Sequence, residues 1–361
     1  MDRVIFSRVR AARLEDMARL GVVRCLLAAV LFGASAPAAS ELAGEVPSLL
    51  LAGMLYLGAG LAVVPSVALR PPHRTALRNE WRPALAAVVA GGAIGPVLLV
   101  AGLARTPAAS ASILLNLELA ATVVLAATMF REHLGRRVVF GAGLVTAAGA
   151  LLVWEPGNEI SVGGLLIVAA CVAWGFDNGV TARIDQLAPE HVVALKGFVA
   201  GGVNVALGLL VGGSASSVSA GQVVAALSIG ALGYGASIVL WVKGARELGA
   251  ARGQVIFATA PFIGTAVAWL VLGEAVTTAQ LVAVAVAGAG VAITMESAHE
   301  HEHHHRSMEH EHEHRHDDGH HDHDHDEPVE AGVRHSHRHR HRPVVHAHPH
   351  VPDLHHRHGH S

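Results

Sequence analysis

The feature that most limits how this chain can fold is a series of apolar stretches between Arg24 and Met295. Each is about 20 residues long, the length that spans the ~30 Å hydrocarbon core of a bilayer as a helix. In lipid every backbone amide must find a partner within its own segment, which favours helices. Only 15% of the residues are charged, and most of these lie outside the stretches. The sequence therefore predicts an all-α membrane protein.

Ten stretches are long enough to cross the membrane. The predicted helices are 22–40, 47–69, 83–103, 107–130, 136–154, 161–182, 189–211, 221–242, 249–272 and 277–296. The least distinct is 189–211, which is rich in glycine and contains Asn204. A basic cytoplasmic segment, residues 1–21, precedes the helices, and a histidine-rich tail, residues 297–361, follows them.

The distribution of Lys and Arg predicts the orientation, since cytoplasmic connections keep the positive charge. With the N-terminus inside, the inner segments hold almost all of these residues, and Lys196 is counted among them. The outer segments hold only Arg105. We therefore expect a multi-pass protein of the plasma membrane with both termini in the cytoplasm.

An internal repeat relates residues that are 142 positions apart. Gly102 matches Gly244, and Glu132 matches Glu274, and the offset continues without a gap through four pairs of helices. Five helices per unit is an odd number, so the second unit must enter the membrane from the opposite side. Residues 22–154 and 161–296 thus form two inverted five-helix repeats. Secondary transporters use this construction, with the substrate site near the midplane between the halves.

Several short motifs carry a resemblance to a known family. They are Leu31-Phe32-Gly33-Ala34-Ser35, Ala173-Trp174-Gly175, Thr106-Pro107-Ala108-Ala109-Ser110-Ala111 with Leu117-Glu118-Leu119, and Ala258-Thr259-Ala260-Pro261-Phe262 with Leu272-Gly273-Glu274. Over residues 22–296 the chain resembles the EamA branch of the drug/metabolite transporter superfamily. The resemblance implies ten helices, cytoplasmic termini and alternating-access transport of small organic solutes, by import or by export. The Glu-Pro-like pair usual in the fourth helix of each half is split here, because Leu119 follows Glu118 and Ala260 precedes Pro261.

Glu118 is the leading candidate for chemistry, since it lies near the middle of a predicted helix. A carboxylate there costs several kcal/mol unless it is protonated, paired or facing water, which suits a proton-binding site. The alternative is a neutral Glu bonded to a neighbouring helix. Its repeat mate is Ala260, so the symmetry of the repeat does not require a carboxylate.

Asp177 is the second candidate, and its repeat mate is Ser35. Polar residues at the same place in both units suggest that both face a central cavity, although Asp177 could instead reach toward Arg183. Further candidates for substrate or proton binding are Asn116, Asn178, Trp174, Tyr234 and Trp241. Glu132 and Glu274 close matched apolar runs, and we interpret them as architectural, each marking a helix end, a loop partner or a cap.

The tail holds 24 of the 27 histidines. Alternate residues of an extended chain point the same way, and imidazole with carboxylate suits Zn, Ni, Co or Cu(II). The candidate ligands are His301, His303, His304, His305, His321, His323, His325, His335, His337, His339 and His341. With few apolar residues the tail is expected to be disordered until a metal or a partner binds. The alternative is a solvated tail that chelates only adventitiously.

Three classes of function follow from these features. The favoured class is a secondary carrier of small organic metabolites or drugs, coupled to protons through Glu118, Asp177 or both. A divalent-metal (Ni, Co or Zn) transporter, or a metal-regulated carrier that uses the tail, is the second, although the predicted helices contain no histidine that lies away from a loop. A membrane scaffold or metal-buffering protein is the third.

No enzyme motif is present, no cofactor is required beyond a divalent metal at the tail, and the expected partners are lipid and a small solute, without nucleic acid. A homodimer is left open.

Overall fold

The computed structural model describes residues 2–129, 135–155, 159–211, 218–248 and 250–295, together with the tail segments 300–305, 309–314, 335–340 and 344–349. Within these residues ten helical spans are long and apolar enough to cross a membrane, which confirms the predicted number. Spans 1 to 10 are Arg19–Ser40, Ser48–Leu69, Trp81–Leu103, Ala108–Thr128, Arg136–Val153, Val162–Thr181, Pro189–Val211, Ala220–Ala245, Gly253–Leu270 and Thr278–Met295.

Several spans are built from more than one helical segment. In chain order the helices α1 to α16 are Asp2–Ser40, Ser48–Leu69, Arg74–Asn79, Trp81–Ala87, Gly95–Leu103, Ala108–Leu114, Leu117–Thr128, Arg136–Val153, Val162–Thr181, Pro189–Leu195, Gly201–Val211, Ala220–Ile229, Ser237–Leu248, Ala250–Phe257, Ala260–Leu270 and Thr278–Met295. The π-helical segments Val88–Ile94, Lys196–Ala200 and Gly230–Ala236 interrupt spans 3, 7 and 8. Helix α1 continues without a break through residue 21, where the sequence analysis placed a boundary. Between spans 5 and 6, β1 (Trp154–Glu155) pairs with β2 (Glu159–Ile160).

The two halves repeat each other at the predicted offset, including two of the three π-helical segments. Span 5 and span 10 begin and end 142 residues apart, at Arg136–Val153 and Thr278–Met295. The π-helical segments Val88–Ile94 and Gly230–Ala236 are related by the same offset at both ends. Because π-helical segments are rare, their agreement is not explained by the shared Ala, Gly and Val composition. The repeat is therefore a repeat of structure as well as of sequence.

Close contacts between helices follow the same symmetry. A Cβ atom added to Gly91 would overlap the side chain of Asp177, and one added to Gly233 would overlap that of Ser35. The offset relates Gly91 to Gly233 and Ser35 to Asp177. Span 3 therefore packs on span 6 as span 8 packs on span 1, so each half contacts the other through equivalent helices. This exchange of helices is the packing expected of an inverted repeat.

Glu274 ties the end of span 9 to the start of span 4. Its Oε1 accepts a hydrogen bond from the N–H of Ala108 at 2.6 Å, and its Oε2 accepts one from the N–H of Ala109 at 2.8 Å. The first N–H groups of a helix have no acceptor within the helix, so the carboxylate acts as their cap. This contact agrees with the architectural interpretation of Glu274. Its repeat mate, Glu132, lies outside the described residues.

A second structural unit, residues 298–353, contains four short strands. Strand β3 (Glu300–His305) pairs antiparallel with β6 (Val344–Pro349), and β4 (Glu309–His314) pairs antiparallel with β5 (His335–Arg340). The register of β4 and β5 sets histidine opposite histidine in three places: His310 and His339, His312 and His337, and His314 and His335. The disorder of the free tail stays a prediction. His321, His323, His325 and His341 lie outside the described residues.

Gly230→Ala is expected to destabilise the membrane unit by about 1–3 kcal/mol, because a Cβ there would overlap the carbonyl of Leu55 in span 2. Gly202→Ala is the matched control, since a Cβ on Gly202 meets open space and the change favours a helix by about 0.5–1 kcal/mol. Thermal unfolding of the purified protein in detergent measures both. Equal midpoints for the two variants would contradict the close packing of spans 2 and 8.

Candidate functional site

A cavity of about 170 Å³ lies between the two halves. Spans 1, 2 and 4 line it from the first half, and spans 6, 7 and 8 line it from the second. The lining residues are Phe32, Tyr56, Ala59, Glu118, Trp174, Asp177, Asn178, Val193, Lys196, Tyr234 and Ile238. A protein cavity of about 150 Å³ holds a benzene molecule, so this one has room for a solute with a ring-sized apolar part.

Aromatic side chains form much of the wall. The rings of Phe32 and Tyr234 meet edge to face, with centroids 5.9 Å apart, and Tyr56 lies at the same distance from Tyr234. Phe32 and Trp174 are repeat mates, so an aromatic residue lines the cavity at the same place in both halves. Aromatic faces provide apolar contact area and attract cations, which makes this wall suitable for an organic cation.

The carbonyl group of Gly91 fixes two of these aromatic residues in place. Its oxygen accepts hydrogen bonds from Tyr56 Oη at 2.7 Å and from Trp174 Nε1 at 3.0 Å. In the π-helical segment around Gly91, the N–H of Gly95 donates to the carbonyl five residues before it. The next residue, Pro96, has no N–H to donate. The Gly91 oxygen is therefore left without a backbone donor and is available to the two side chains.

An ion pair occupies one side of the cavity. Lys196 Nζ lies 2.5 Å from Asp177 Oδ2, and their side chains are only 14% and 7% exposed. The other oxygen of Asp177 accepts a hydrogen bond from Thr181 Oγ1 at 3.0 Å. The sequence analysis assigned Lys196 to the charge of the inner segments, and this assignment is wrong. The residue lies within span 7, seven positions after Pro189, and its ammonium group is paired inside the protein.

Glu118 faces the same cavity from span 4. Its Oε1 accepts a hydrogen bond from Asn178 Nδ2 at 2.8 Å, and that amide also lies 3.4 Å from Thr122 Oγ1. Among the ion pairs formed by described residues, none involves Glu118. The cavity therefore contains one carboxylate with a cationic partner and one without.

The charged residues of the cavity stand where the repeat symmetry breaks. The mates of Glu118, Asp177 and Lys196 are uncharged: Ala260, Ser35 and Met54. At each of these three positions, the matching helix contact in the opposite half is therefore made without a charged residue. A buried ion pair is often no more stabilising than apolar residues of similar volume, so packing does not account for these charges. Ionisable groups inside a membrane protein typically mark the functional site.

Comparison with known proteins agrees with this architecture. The model of the EamA-like transporter family matches residues 19–154 and again residues 161–295, so each match covers one five-span unit. This chain belongs to the EamA-like transporter family. An uncharacterized transporter of Methanothermobacter thermautotrophicus (strain Delta H) is 23% identical to this EamA-like protein over 281 residues, covering 72% of this chain and 81% of the relative. A crystal structure that is 21% identical superposes with a TM-score of 0.57, covers 76% of this chain and 94% of its own, and supports the fold. The protein is a multi-pass membrane transporter.

Five of the residues predicted for substrate or proton binding in this EamA-like transporter line the cavity: Glu118, Asp177, Asn178, Trp174 and Tyr234. The structure thus brings both candidate carboxylates to one place. Asn178 lines the cavity and also joins spans 6 and 4 through its hydrogen bond to Glu118.

Three predicted residues do not line the cavity. Ser35 is buried against Gly233, and its hydroxyl donates to the carbonyl of Phe32 at 2.6 Å. Asn116 is buried where span 4 changes from α6 to α7, and its amide donates to the carbonyl of Ile113 at 2.9 Å. Trp241 lies seven residues after Tyr234 and is absent from the cavity wall, and its ring packs on that of Phe257 with centroids 6.1 Å apart.

Two of the polar residues that line the site were missed by the sequence analysis. Lys196 carried a usable signal, because an ionisable residue within a predicted span is a functional candidate by default. The sequence analysis counted Lys196 among the positive charges of the inner segments instead. Tyr56 carried a weaker one, because it is one of only two tyrosines and lies in an apolar span, where a phenol requires a hydrogen-bond partner.

Tyr56→Phe and Trp174→Phe test the double acceptor at Gly91. Each installs an aromatic residue that the other half uses at the matched position, Phe198 or Phe32. Each loss of a hydrogen bond is expected to cost about 0.5–1.5 kcal/mol, and the double variant more than the sum, because it leaves a buried carbonyl unpaired at about 1–3 kcal/mol. Thermal unfolding of all four proteins measures the coupling. Additive costs would show that the two donors do not share one acceptor.

Proposed function

We propose that this protein carries a small organic cation across the plasma membrane in exchange for a proton, with the cavity between its halves as the binding site. The observation that carries the proposal is the charge balance of the cavity. Lys196 compensates Asp177 through their ion pair, whereas Glu118 forms no ion pair with any described residue and accepts a hydrogen bond from the amide of Asn178.

An uncompensated carboxylate in the membrane interior is costly, so the negative charge of Glu118 is expected to be neutralised at most times by a bound positive charge. That charge is either its own proton or the cationic group of a bound solute. The two compete for one carboxylate, so binding of the solute releases the proton and return of the proton releases the solute. Competition of this kind couples the two fluxes in opposite directions.

The other walls of the cavity support the same solute class. Phe32, Tyr56, Trp174 and Tyr234 surround the carboxylates with aromatic surface, which contacts the apolar part of a solute and attracts its cation. The volume of about 170 Å³ suits an amine with one ring. Substrates of this size and charge include both metabolites and drugs.

Alternating access follows from the inverted repeat. Because the two halves are built alike and oppose each other, the cavity opens to one side of the membrane when one half takes the conformation of the other. The excess of Lys and Arg in the inner connections supports cytoplasmic termini in this proposal. In this proposal the proton gradient and the solute gradient determine the direction of net solute movement.

A metal ion is a weaker candidate for the cargo. Among the side chains that the structure describes, no three His, Cys, Asp or Glu residues are grouped as metal ligands. The cavity offers instead one amide, one ion pair, one carboxylate and aromatic rings. This set is better matched to an organic solute than to Zn, Ni or Co.

Phenethylamine, phenylalanine and 3-phenylpropanoate test the charge of the solute, because they share a phenyl ring and a similar length. In proteoliposomes with a trapped pH indicator, phenethylamine is expected to drive proton movement and 3-phenylpropanoate is not. Glu118→Gln should lower the rate by about tenfold or more, a change of about 1.4 kcal/mol per factor of ten. Glu41→Gln, the same change at an exposed residue, serves as the control. Preference for 3-phenylpropanoate, or an unaffected Glu118→Gln variant, would refute the proposal.

We also propose that the tail binds divalent transition-metal ions as an accessory to transport. The register of β4 and β5 supports this, because opposite residues of an antiparallel pair have Cβ atoms about 4.5–5.5 Å apart and three of the pairs are histidines. Imidazole is a good ligand for Ni²⁺ and Zn²⁺.

Calorimetric titration of Ni²⁺ into the full protein tests the tail. A version that ends at Met295 is expected to lose the binding and to keep phenethylamine exchange. His310→Ala/His312→Ala should weaken the binding more than His356→Ala/His358→Ala, which removes the same number of histidines from outside the paired strands. Equal losses would mean that composition alone, and not the register, determines the binding.

A further inference from the structure

Lys196 has a place in the cavity that the exchange of a proton for a solute does not by itself explain. We propose that Lys196 is a fixed internal counter-ion that sets the charge specificity of the carrier. Because Lys196 neutralises Asp177, Glu118 is the one carboxylate of the cavity that is left to bind a proton or a solute cation. The exchange is thereby fixed at one proton for one monovalent cation. This inference rests on the proposed function and extends it to the charge of the solute.

The first support is the difference between the two carboxylates. Both oxygens of Asp177 are occupied, one by Lys196 Nζ at 2.5 Å and one by Thr181 Oγ1 at 3.0 Å. Within the described part of the chain, the side chain of Glu118 accepts a hydrogen bond from the amide of Asn178 at 2.8 Å and forms no ion pair. A solute can thus reach Glu118 by displacing no charged group, whereas at Asp177 it would leave a buried ammonium without a partner, which is strongly unfavourable.

The second support is the space that span 3 provides for the pair. A Cβ on Gly91 would overlap the carboxylate of Asp177, and a Cβ on Gly92 would lie 2.8 Å from the Cβ of Ala200 and 3.2 Å from the Cβ of Lys196. Two successive glycines therefore make room for the two partners. In the other half the mate of Gly92 is Tyr234, at a position where no lysine has to fit.

The third support is the inverted repeat itself. The mates of Asp177 and Lys196 are Ser35 and Met54, so the equivalent helix contacts exist in the same molecule without an ion pair. The pair is consequently not a requirement of the fold. The other ionisable groups that line the cavity, among the described residues, are Glu118 on span 4, Tyr56 on span 2 and Tyr234 on span 8.

The exchange then proceeds with constant charge in the cavity. When an ammonium group binds, the carboxylic acid of Glu118 releases its proton to water on the open side. On the other side of the membrane the ammonium leaves, and Glu118 takes up a proton from water. The bond between Lys196 and Asp177 stays intact throughout. Without Lys196, Asp177 becomes a second open carboxylate, and the cavity requires two protons or a dication.

The repeat supplies the variants that test this. Lys196→Met and the double variant Asp177→Ser/Lys196→Met introduce the residues of the other half, and Lys196→Arg keeps the charge. In proteoliposomes the wild type is expected to exchange one proton per phenethylamine. Lys196→Met should exchange two protons per p-xylylenediamine and prefer this diamine over phenethylamine by about tenfold or more. The double variant and Lys196→Arg should return to one proton and to phenethylamine.

Infrared spectroscopy of the purified proteins gives a second measurement that needs no solute. Lys196→Met should show an additional carbonyl band of a protonated carboxylic acid, absent in the double variant, whereas Glu118→Gln should lack the band of the wild type. A Lys196→Met protein without the additional band, or with the wild-type proton count and solute preference, would overturn the role of Lys196. Failure of the wild type to exchange protons for phenethylamine would instead refute the proposed function, and the infrared comparison would still decide on Lys196.

Discussion

Close backbone contact between the halves holds this protein together, and glycine makes that contact possible. Lipid gives helices no hydrophobic reason to associate, so their attraction depends on packing distance and on polar contacts. Gly58 and Gly230 bring the backbones of spans 2 and 8 together, and Gly91 and Gly233 let side chains of spans 6 and 1 pack directly on spans 3 and 8. Spans 1, 2, 6 and 8, which take part in these contacts, also line the cavity. The aromatic wall and the carboxylates are therefore positioned by the residues with the smallest side chains.

Backbone irregularity is used in the same region. The π-helical segment around Gly91 withdraws a carbonyl from the helix, and Pro96 ensures that no backbone group replaces the missing donor. Tyr56 and Trp174 take that place, so a local departure from α-helix geometry fixes two aromatic side chains from two other spans. Such segments often occur at functional sites. Here Pro96, which lacks an N–H group, leaves the acceptor free that positions both aromatic side chains of the site.

Much of the architecture could be predicted because it depends on properties that a sequence displays directly. Span lengths follow from runs of apolar residues, and the inverted repeat follows from one constant offset. Glu118 and Asp177 were identifiable because a carboxylate in an apolar span is rare. Ser35 was assigned to the cavity by symmetry with Asp177, but a small hydroxyl is satisfied by its own helix and requires no cavity. Lys196 was misassigned because the rule for orientation counts positive charge without asking which helix contains it, and its partner becomes visible only when spans 6 and 7 are packed.

The joining of two repeats in one chain has a consequence for how such a site can evolve. In a symmetric pair of separate five-helix subunits, a codon change that introduces a lysine places it on both sides of the axis, together with its aspartate. In a fused chain each copy is encoded separately, so Lys196 and Asp177 can stand opposite Met54 and Ser35 without duplicates. A nearly symmetric cavity can therefore contain a charged residue that has no charged counterpart in the other half. Fusion of the repeats is in this sense a way to give a symmetric fold an unequal number of acids and bases.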